Sequence, residues 1–460
     1  MRGLVFFLAF VGCLPFIFVS PFTGVLAWYV FSLGNFHTLI WGGPFASLNY
    51  AYVIAIVTCL AWLFSRTEPK QLPLTPLVIL TLSFSVWITF TSLFALGPAD
   101  DVWNKWITVQ KILFMCLVGY ALTTTRERLN QLIWAVVLTI GLWGVKGALF
   151  SILHGGGEIH GPDGGMLADN NDFGLGLIVM LPLIFYQRQL ATNRHVRRGL
   201  LLMGFLVTLA VFFTYSRGAL VGVCAMGVVF WLRSRAKFAT ALLIAALAFS
   251  VYNVAPEKWF ARMGTIETYQ DDSSAMSRLN LWRISLRIAE LHPINGGGFR
   301  VTFAPNVTNN MLRGTDIGRL TKPRAAHSIY FDALSEHGWV GLFLFLMILG
   351  YSWVNCAWLT RHSRNRPDLA WANMLGRMGQ PMLVGYATAG AFASQAYLDE
   401  YWCIIFIFDA ARRLLAKEIA PAAGAFAEAG SQRLPLPRQA VTQAVLAKPD
   451  TALGYAKSNP

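Results

Sequence analysis

Residues 200–233 read LLLMGFLVTLAVFFTYSRGALVGVCAMGVVFWLR. Two apolar runs, 200–214 and 218–232, are divided only by the turn Tyr215-Ser216-Arg217-Gly218. About 20 apolar residues cross a hydrocarbon layer as a helix, so each run reads as a membrane span and the pair as a helical hairpin. The same pattern recurs outward in both directions, over 4–33 (kinked near Pro21, or a span plus a re-entrant piece), 46–64, 75–95, 107–122, 129–149, 173–187, 237–253, 327–360, 381–396 and 401–413. The chain has 460 residues, 55% hydrophobic and 13% charged, with a mean hydropathy of +0.51. This is far more apolar than a soluble domain. The expected fold class is all-α, a polytopic membrane protein of about twelve spans. The six cysteines lie in apolar stretches, with neither a disulfide framework nor a paired zinc motif.

Charge sets the expected orientation. Short connections carrying Arg66 and Lys70, Arg126 and Arg128, Arg188 to Arg198, Arg233 to Lys237, and Arg361 to Arg377 alternate with connections almost free of Lys and Arg. The positive-inside rule assigns the basic set to the cytoplasm, and both termini with it. The outer segments are then 96–106, 150–172, the turn at Arg217, the long helical loop 254–326, and a short turn near Asp399 and Glu400. The expected regions are an N-terminal membrane part (1–164), a membrane core containing the 254–326 loop (165–413), and an Ala- and Pro-rich disordered cytoplasmic tail (414–460).

The long outer loop holds Lys258, Arg262, Arg278, Arg283, Arg287, Arg300, Arg313, Arg319, Lys322 and Arg324 against six acids. Such an excess beside a bilayer fits a phosphate or diphosphate headgroup, or simply a solvated face. Arg217 stands apart, because a guanidinium between two membrane helices is costly unless paired or wetted; snorkelling to the interface is the alternative. Residues 276–290 read as a helix with Arg283, Arg287 and Glu290 on one face and Arg278, Trp282, Ser285 and Ala289 on another. After His292-Pro293 comes Gly296-Gly297-Gly298, whose backbone could approach a ligand or only turn the chain. His327 opens the next apolar run, where it could serve as a general base or as a structural residue at a helix start. Glu336, farther along, is a candidate partner for an arginine or a proton relay.

Segment 150–172 contains His154, Glu158, His160, Asp163, Asp169 and Asp172, but their spacing matches no metal-ligand pattern, and Asp169-Asn170-Asn171-Asp172 reads as an N-cap cluster. A phosphate-binding loop, a dinucleotide fingerprint and a nucleophile elbow are missing from suitable contexts, which disfavours nucleotide-driven pumping.

Asn170-Asn171 opening a span, Ser216-Arg217-Gly218 between spans, Arg278 with Trp282, Pro293 followed by Gly296 and Gly298, and His327-Ser328-x-Tyr330 leading to Glu336-His337-Gly338 occur in this order over 165–345. Together they resemble the O-antigen ligase and O-antigen polymerase superfamily, and the N-terminal part is similar to its O-glycosylation ligases associated with exosortase systems. The resemblance implies a GT-C-like membrane enzyme of the bacterial inner membrane with a periplasmic active site. Its reaction would be inverting, metal-independent transfer of a glycan from undecaprenyl diphosphate to a hydroxyl of a lipid, protein or polysaccharide acceptor, with no cofactor and no nucleic-acid partner. By position, Arg217 and Arg278 would hold the diphosphate and His327 would take the acceptor proton, with Asn171, Tyr330 and Glu336 in support. Ligases and polymerases share these motifs. A transporter without chemistry is a separate possibility; it predicts internal repeats and mid-membrane charges, whereas Lys111 and Lys146 are within reach of the outer ends of their spans.

Overall fold

Side-chain caps set where many of the helices begin. Asn49, Thr75, Thr125, Asp169, Asn193 and Ser216 each accept a hydrogen bond from a backbone N–H in the first turn that follows, satisfying donors that the helix itself cannot. The computed structural model describes residues 2–39, 45, 48–234, 236–254, 256–264, 273–312 and 324–431. The expected loop cations Arg313, Arg319 and Lys322 lie outside the described residues, as does the tail from 432.

The first half of the chain forms helices α1 (Arg2–Val19), α2 (Pro21–Gly34), α3 (Tyr50–Phe64), α4 (Pro76–Leu93), α5 (Ala99–Leu122), α6 (Arg126–Leu153) and α7 (Asn170–Leu190). There follow α8 (Arg194–Phe213), α9 (Arg217–Arg233), α10 (Lys237–Val254), α11 (Glu257–Gly264), α12 (Ser273–Leu291), α13 (Pro305–Met311), α14 (Ile329–His362), α15 (Ala370–Gly390) and α16 (Asp399–Ser431). Among the described residues there is no strand. Six helices, α4 to α8 and α14, are long and apolar enough to cross a membrane, and the apolar stretches of α1, α2, α3 and α10 are shorter. Large apolar side chains such as Val86, Phe114, Leu142, Leu202 and Phe343 face outward, which suits lipid and not water. The chain is thus an all-helical, multi-pass membrane protein.

Two compact units divide the chain, Met1–Leu415 and Ala416–Pro460. The expected boundary at 413 falls inside α16, which is helical to Ser431. Within the first unit α7 is the most enclosed span, 78% of its apolar window being buried. It packs against α8, α9 and α15, while α14 packs against α4, α12 and α15. Small residues permit the closest approaches. A Cβ on Gly376 would lie 2.5 Å from the Cys356 carbonyl oxygen and 2.6 Å from Thr360 Oγ1.

One expected span is displaced. The apolar run 381–396 belongs to a helix that starts at Ala370 and stops at Gly390, with 391–398 forming a turn. Arg377, Gln380 and Pro381 read as a boundary in sequence, yet Gln380 is buried and accepts a hydrogen bond from the Arg233 guanidinium, and Pro381 sits within the helix.

The two sets of connections gather at opposite ends of the bundle. At one end Arg128 binds Glu68 through both carboxylate oxygens (2.6 and 2.8 Å), Arg413 donates to Tyr120 O and Thr123 O, and Arg412 to Asn355. At the other end Ile159 N donates to Phe213 O, Gln395 to Met166 O, and Leu96 N to Gly297 O.

A helical glycine replaced by alanine ordinarily gains stability, by roughly 0.5–1 kcal/mol. Gly199→Ala on α8, with nothing near its Cβ position, should follow that rule. Gly376→Ala should instead destabilise by about 1–3 kcal/mol through overpacking, read as a lower Tm in detergent.

Candidate functional site

At the end of the bundle where the expected outer segments meet, the local structure is built on three backbone positions in the left-handed region that carry side chains: Tyr215 (φ 55), Arg300 (φ 58) and His327 (φ 50). Residues with a Cβ adopt that region at a cost and only where the surroundings enforce it.

Tyr215 is held by its hydroxyl, which donates to Gly156 O (2.6 Å), and Ser216 caps α9. Arg217 is therefore the first residue of α9 and half-buried. A cation there meets the positive end of the helix dipole and gains nothing from it. Asn170, not Asn171, ties this turn down: its Nδ2 donates to Thr214 O (2.8 Å) and to Glu158 Oε1 (2.5 Å). Asn171 is occupied locally with Asp169 and Asn170.

Helix α12 has the two faces read from its sequence. Leu281, Ile284, Ser285, Ile288 and Ala289 are buried, whereas Arg283, Arg287 and Glu290 are exposed, with Arg287 paired to Glu290 at 3.0 Å. Trp282 fixes the inner face: its indole N–H donates to Ala326 O (2.9 Å) and its ring stacks on Phe331 with centroids 5.1 Å apart. Arg278, one turn before Trp282, is half-buried and within electrostatic reach of His327.

His327 is half-buried just before α14. Burial, and then the Arg278 guanidinium, push its imidazole below the ordinary value of 6.5; Asp169 pulls the other way and Arg324 adds to the lowering. The imidazole is thus neutral at physiological pH and able to accept a proton. Its backbone N–H donates to Ser394 Oγ (2.8 Å), and that hydroxyl donates to Asp332 Oδ1 (3.0 Å). Tyr330, the other motif residue, uses its hydroxyl to hold α14 to Ala387 O on α15 (2.8 Å).

Among the described residues, no arginine side chain hydrogen-bonds Glu336. Its oxygens accept the backbone N–H of Arg300 (2.8 Å) and the hydroxyl of Tyr397 (2.7 Å), while the Arg300 guanidinium reaches Asp101 at 3.6 Å. The glycine run is likewise engaged internally, with the amides of Gly296, Gly297 and Gly298 donating to His292 O, Ser335 O and Glu336 O. These amides turn and anchor the chain, so a phosphate cradle there is ruled out for this conformation.

Arg278 lies within electrostatic reach of His327, and His327, the Trp282 ring on α12 and the start of α9 at Gly218 all pack against one element that the sequence had hidden inside a span, the turn 391–398. Phe392 lies against Gly218 beside Arg217, and 6.3 Å from the Trp282 ring, while Ser394 grips His327. Lys105 of α5 was also missed; it lies 5.5 Å from the Tyr397 ring and within electrostatic reach of Glu336, Asp332 and Asp172. Only its position in the amphipathic start of a span could have marked it. Among the described residues no three His, Cys, Asp or Glu side chains converge to hold a metal. A half-buried guanidinium within electrostatic reach of a neutral imidazole can stabilise a departing phosphate while the imidazole deprotonates a hydroxyl.

Residues 1–192 match a family of unknown function, and no curated protein matches the chain. Residues 201–346, which contain Arg217, Arg278 and His327, match a family model described as O-antigen ligase, and the match supports the O-antigen ligase superfamily and a membrane enzyme that ligates or polymerises glycans.

Proposed function

We propose that this chain is an inverting glycosyltransferase of the O-antigen ligase type. It moves a glycan from undecaprenyl diphosphate to an acceptor hydroxyl at the periplasmic face of a bacterial inner membrane. The observation that carries the reading is the nearness of Arg278 to His327, with the 391–398 turn packed both on His327 and on the start of α9, where Arg217 stands. About twelve spans with both termini cytoplasmic complete this picture, the shorter helices crossing with the six long ones.

The chemistry follows from the groups. His327 takes the proton of the acceptor hydroxyl as its oxygen attacks the anomeric carbon. The bond from that carbon to the diphosphate oxygen breaks, and the electron pair leaves with undecaprenyl diphosphate. Direct displacement inverts the anomeric centre. Arg217 and Arg278 stabilise the departing charge, and they do so best in a partly dehydrated pocket. The bond to the diphosphate stores the driving force, so no nucleotide is consumed. Two guanidiniums supply the positive charge that a divalent ion supplies in other enzymes, and transfer is expected to continue in EDTA. Acceptor identity separates ligase from polymerase, and the residues common to both leave it to the product: one added glycan block marks a ligase, a ladder a polymerase.

In nanodiscs with an undecaprenyl-diphosphate glycan and candidate acceptors, His327→Ala should lower the rate by about 10²–10⁴. Arg217→Ala and Arg278→Ala should each lower it by roughly 10²–10³, with insertion intact. Arg283→Ala, on the outer face of α12, should cost far less; an equal loss at 283 and 278 would sink the assignment of faces. Donor that crosses proteoliposomes without forming product would favour a transporter.

The pH profile tests the base. The rate should hold as pH falls through 6.5 and drop only below it, because the folded imidazole titrates lower than the ordinary value. Arg324→Ala removes a nearby positive charge, favours the imidazolium, and should move the acid limb of the profile to higher pH. A limb that stays in place would separate His327 from the titration.

A further inference from the structure

His327 occupies a backbone conformation that a residue with a side chain leaves when it can, and the groups that hold it are on two other elements. Its N–H donates to Ser394 Oγ at 2.8 Å. A serine hydroxyl has one proton, and Ser394 directs it to Asp332 Oδ1 at 3.0 Å. Asp332 stands one turn into α14, only 8% exposed, and its own N–H donates to Ser328 O at 2.8 Å. The chain from His327 through Ser328 to Asp332, and back through Ser394 to His327, is therefore a closed ring of bonds around the left-handed residue.

We propose that Ser394 and Asp332 are positioning residues for His327, acting as one relay that fixes the direction of its imidazole. The inference rests on the reading of His327 as the base. Ser394 lies beyond the segment 201–346 matched to the ligase family, and the relay is what joins that segment to the α15–α16 turn at the reacting residue. Asp332 fixes the hydroxyl rotor of Ser394, so the acceptor oxygen of the serine always faces the His327 amide. Without it the hydroxyl can turn away, the amide is left without a partner, and residue 327 relaxes toward an ordinary helical or extended conformation. The imidazole then swings from its place beside Arg278.

The neighbouring anchors do not depend on the relay. Trp282 holds Ala326 and Tyr330 holds Ala387, so the helices stay docked when Ser394 is changed. Ser394→Ala and Asp332→Ala should therefore fold, insert and bind donor as the wild type does.

The test is transfer kinetics in nanodiscs with an undecaprenyl-diphosphate glycan donor, alongside Tm, for Ser394→Ala, Ser394→Thr, Asp332→Ala, Asp332→Asn, the double alanine variant and His327→Ala. A misplaced base costs kcat, so Ser394→Ala and Asp332→Ala should lose roughly 10- to 100-fold in kcat with little change in donor KM. Ser394→Thr keeps the hydroxyl and Asp332→Asn keeps an acceptor oxygen, and both should recover most of the rate. The double variant should be no slower than the slower single one, as expected for two members of one relay. Full kcat in Ser394→Ala, a loss carried by KM and Tm together, or fully additive losses would overturn the relay. Should Ser394→Ala not insert, low kcat in both Ser394→Thr and Asp332→Asn would overturn it. If His327→Ala is as active as wild type, the base assignment fails; if that variant is dead while Ser394→Ala is fast, the relay alone fails.

Discussion

Helix α14 breaks at Gly338, and the bundle end that carries the site is organised around the break. Gly338 sits at φ 69, inside what is otherwise a 34-residue helix. A broken helix frees backbone groups that an apolar interior does not solvate, so each needs a partner from elsewhere in the protein. The partners come from the loop after α12: Gly297 and Gly298 donate to the Ser335 and Glu336 carbonyls, and Pro293 accepts from Trp339 N. Glycine is required on both sides, since a Cβ on Gly296 would lie 2.6 Å from Gly338 N. The outer loop is thereby locked to α14, and with it the inner face of α12 and Arg278.

The same lock explains the polar character of the first turns of α14. Asp332, Glu336 and His337 are buried there, and buried polar groups persist chiefly with partners. Asp332 has Ser394; Glu336 has Arg300 N and Tyr397; His337 has Thr91 at 2.7 Å, with its carbonyl receiving the Trp87 indole at 3.0 Å. Lys105 supplies positive charge to this acidic group. The first turns of α14 are thereby tied to α4, to the loop after α12 and to the 391–398 turn, on which the His327 amide also bonds.

How much of this the sequence disclosed depends on the kind of signal. Apolar runs gave most helices close to their observed limits, because membrane length is a strong constraint, and the spacing along α12 separated its two faces correctly. The turn 391–398 was misplaced because Arg377, Gln380 and Pro381 imitate a loop, while Ala-rich sequence after Gly390 imitates a span. Asn170 and Asn171 look alike in a cap cluster, and only the contact with Thr214 O shows that Asn170 ties down the turn before α9. The glycine run was ambiguous for a similar reason, since the need for positive φ is visible in composition but the recipient of the amides is not. Asp332, Ser394 and Lys105 were silent, each being an ordinary polar residue in its local window and meaningful only through partners far away in the chain.

The two family matches meet near residue 200, and that junction is not a physical one. Residues Met1–Leu415 form one compact unit. Trp87 and Thr91 of α4 hold His337, Leu96 N binds Gly297 O, and Lys105 of α5 faces Glu336, all from the segment matched to a family of unknown function. On the far side, Ser394 and Tyr397 complete the contacts from beyond residue 346. The segment matched to the ligase family contains Arg217, Arg278 and His327, but it cannot by itself close the ring of hydrogen bonds at His327, which needs Ser394. The N-terminal segment is thus part of the same packing: replacing it would have to preserve the Trp87, Thr91 and Lys105 contacts to keep the first turns of α14 in place.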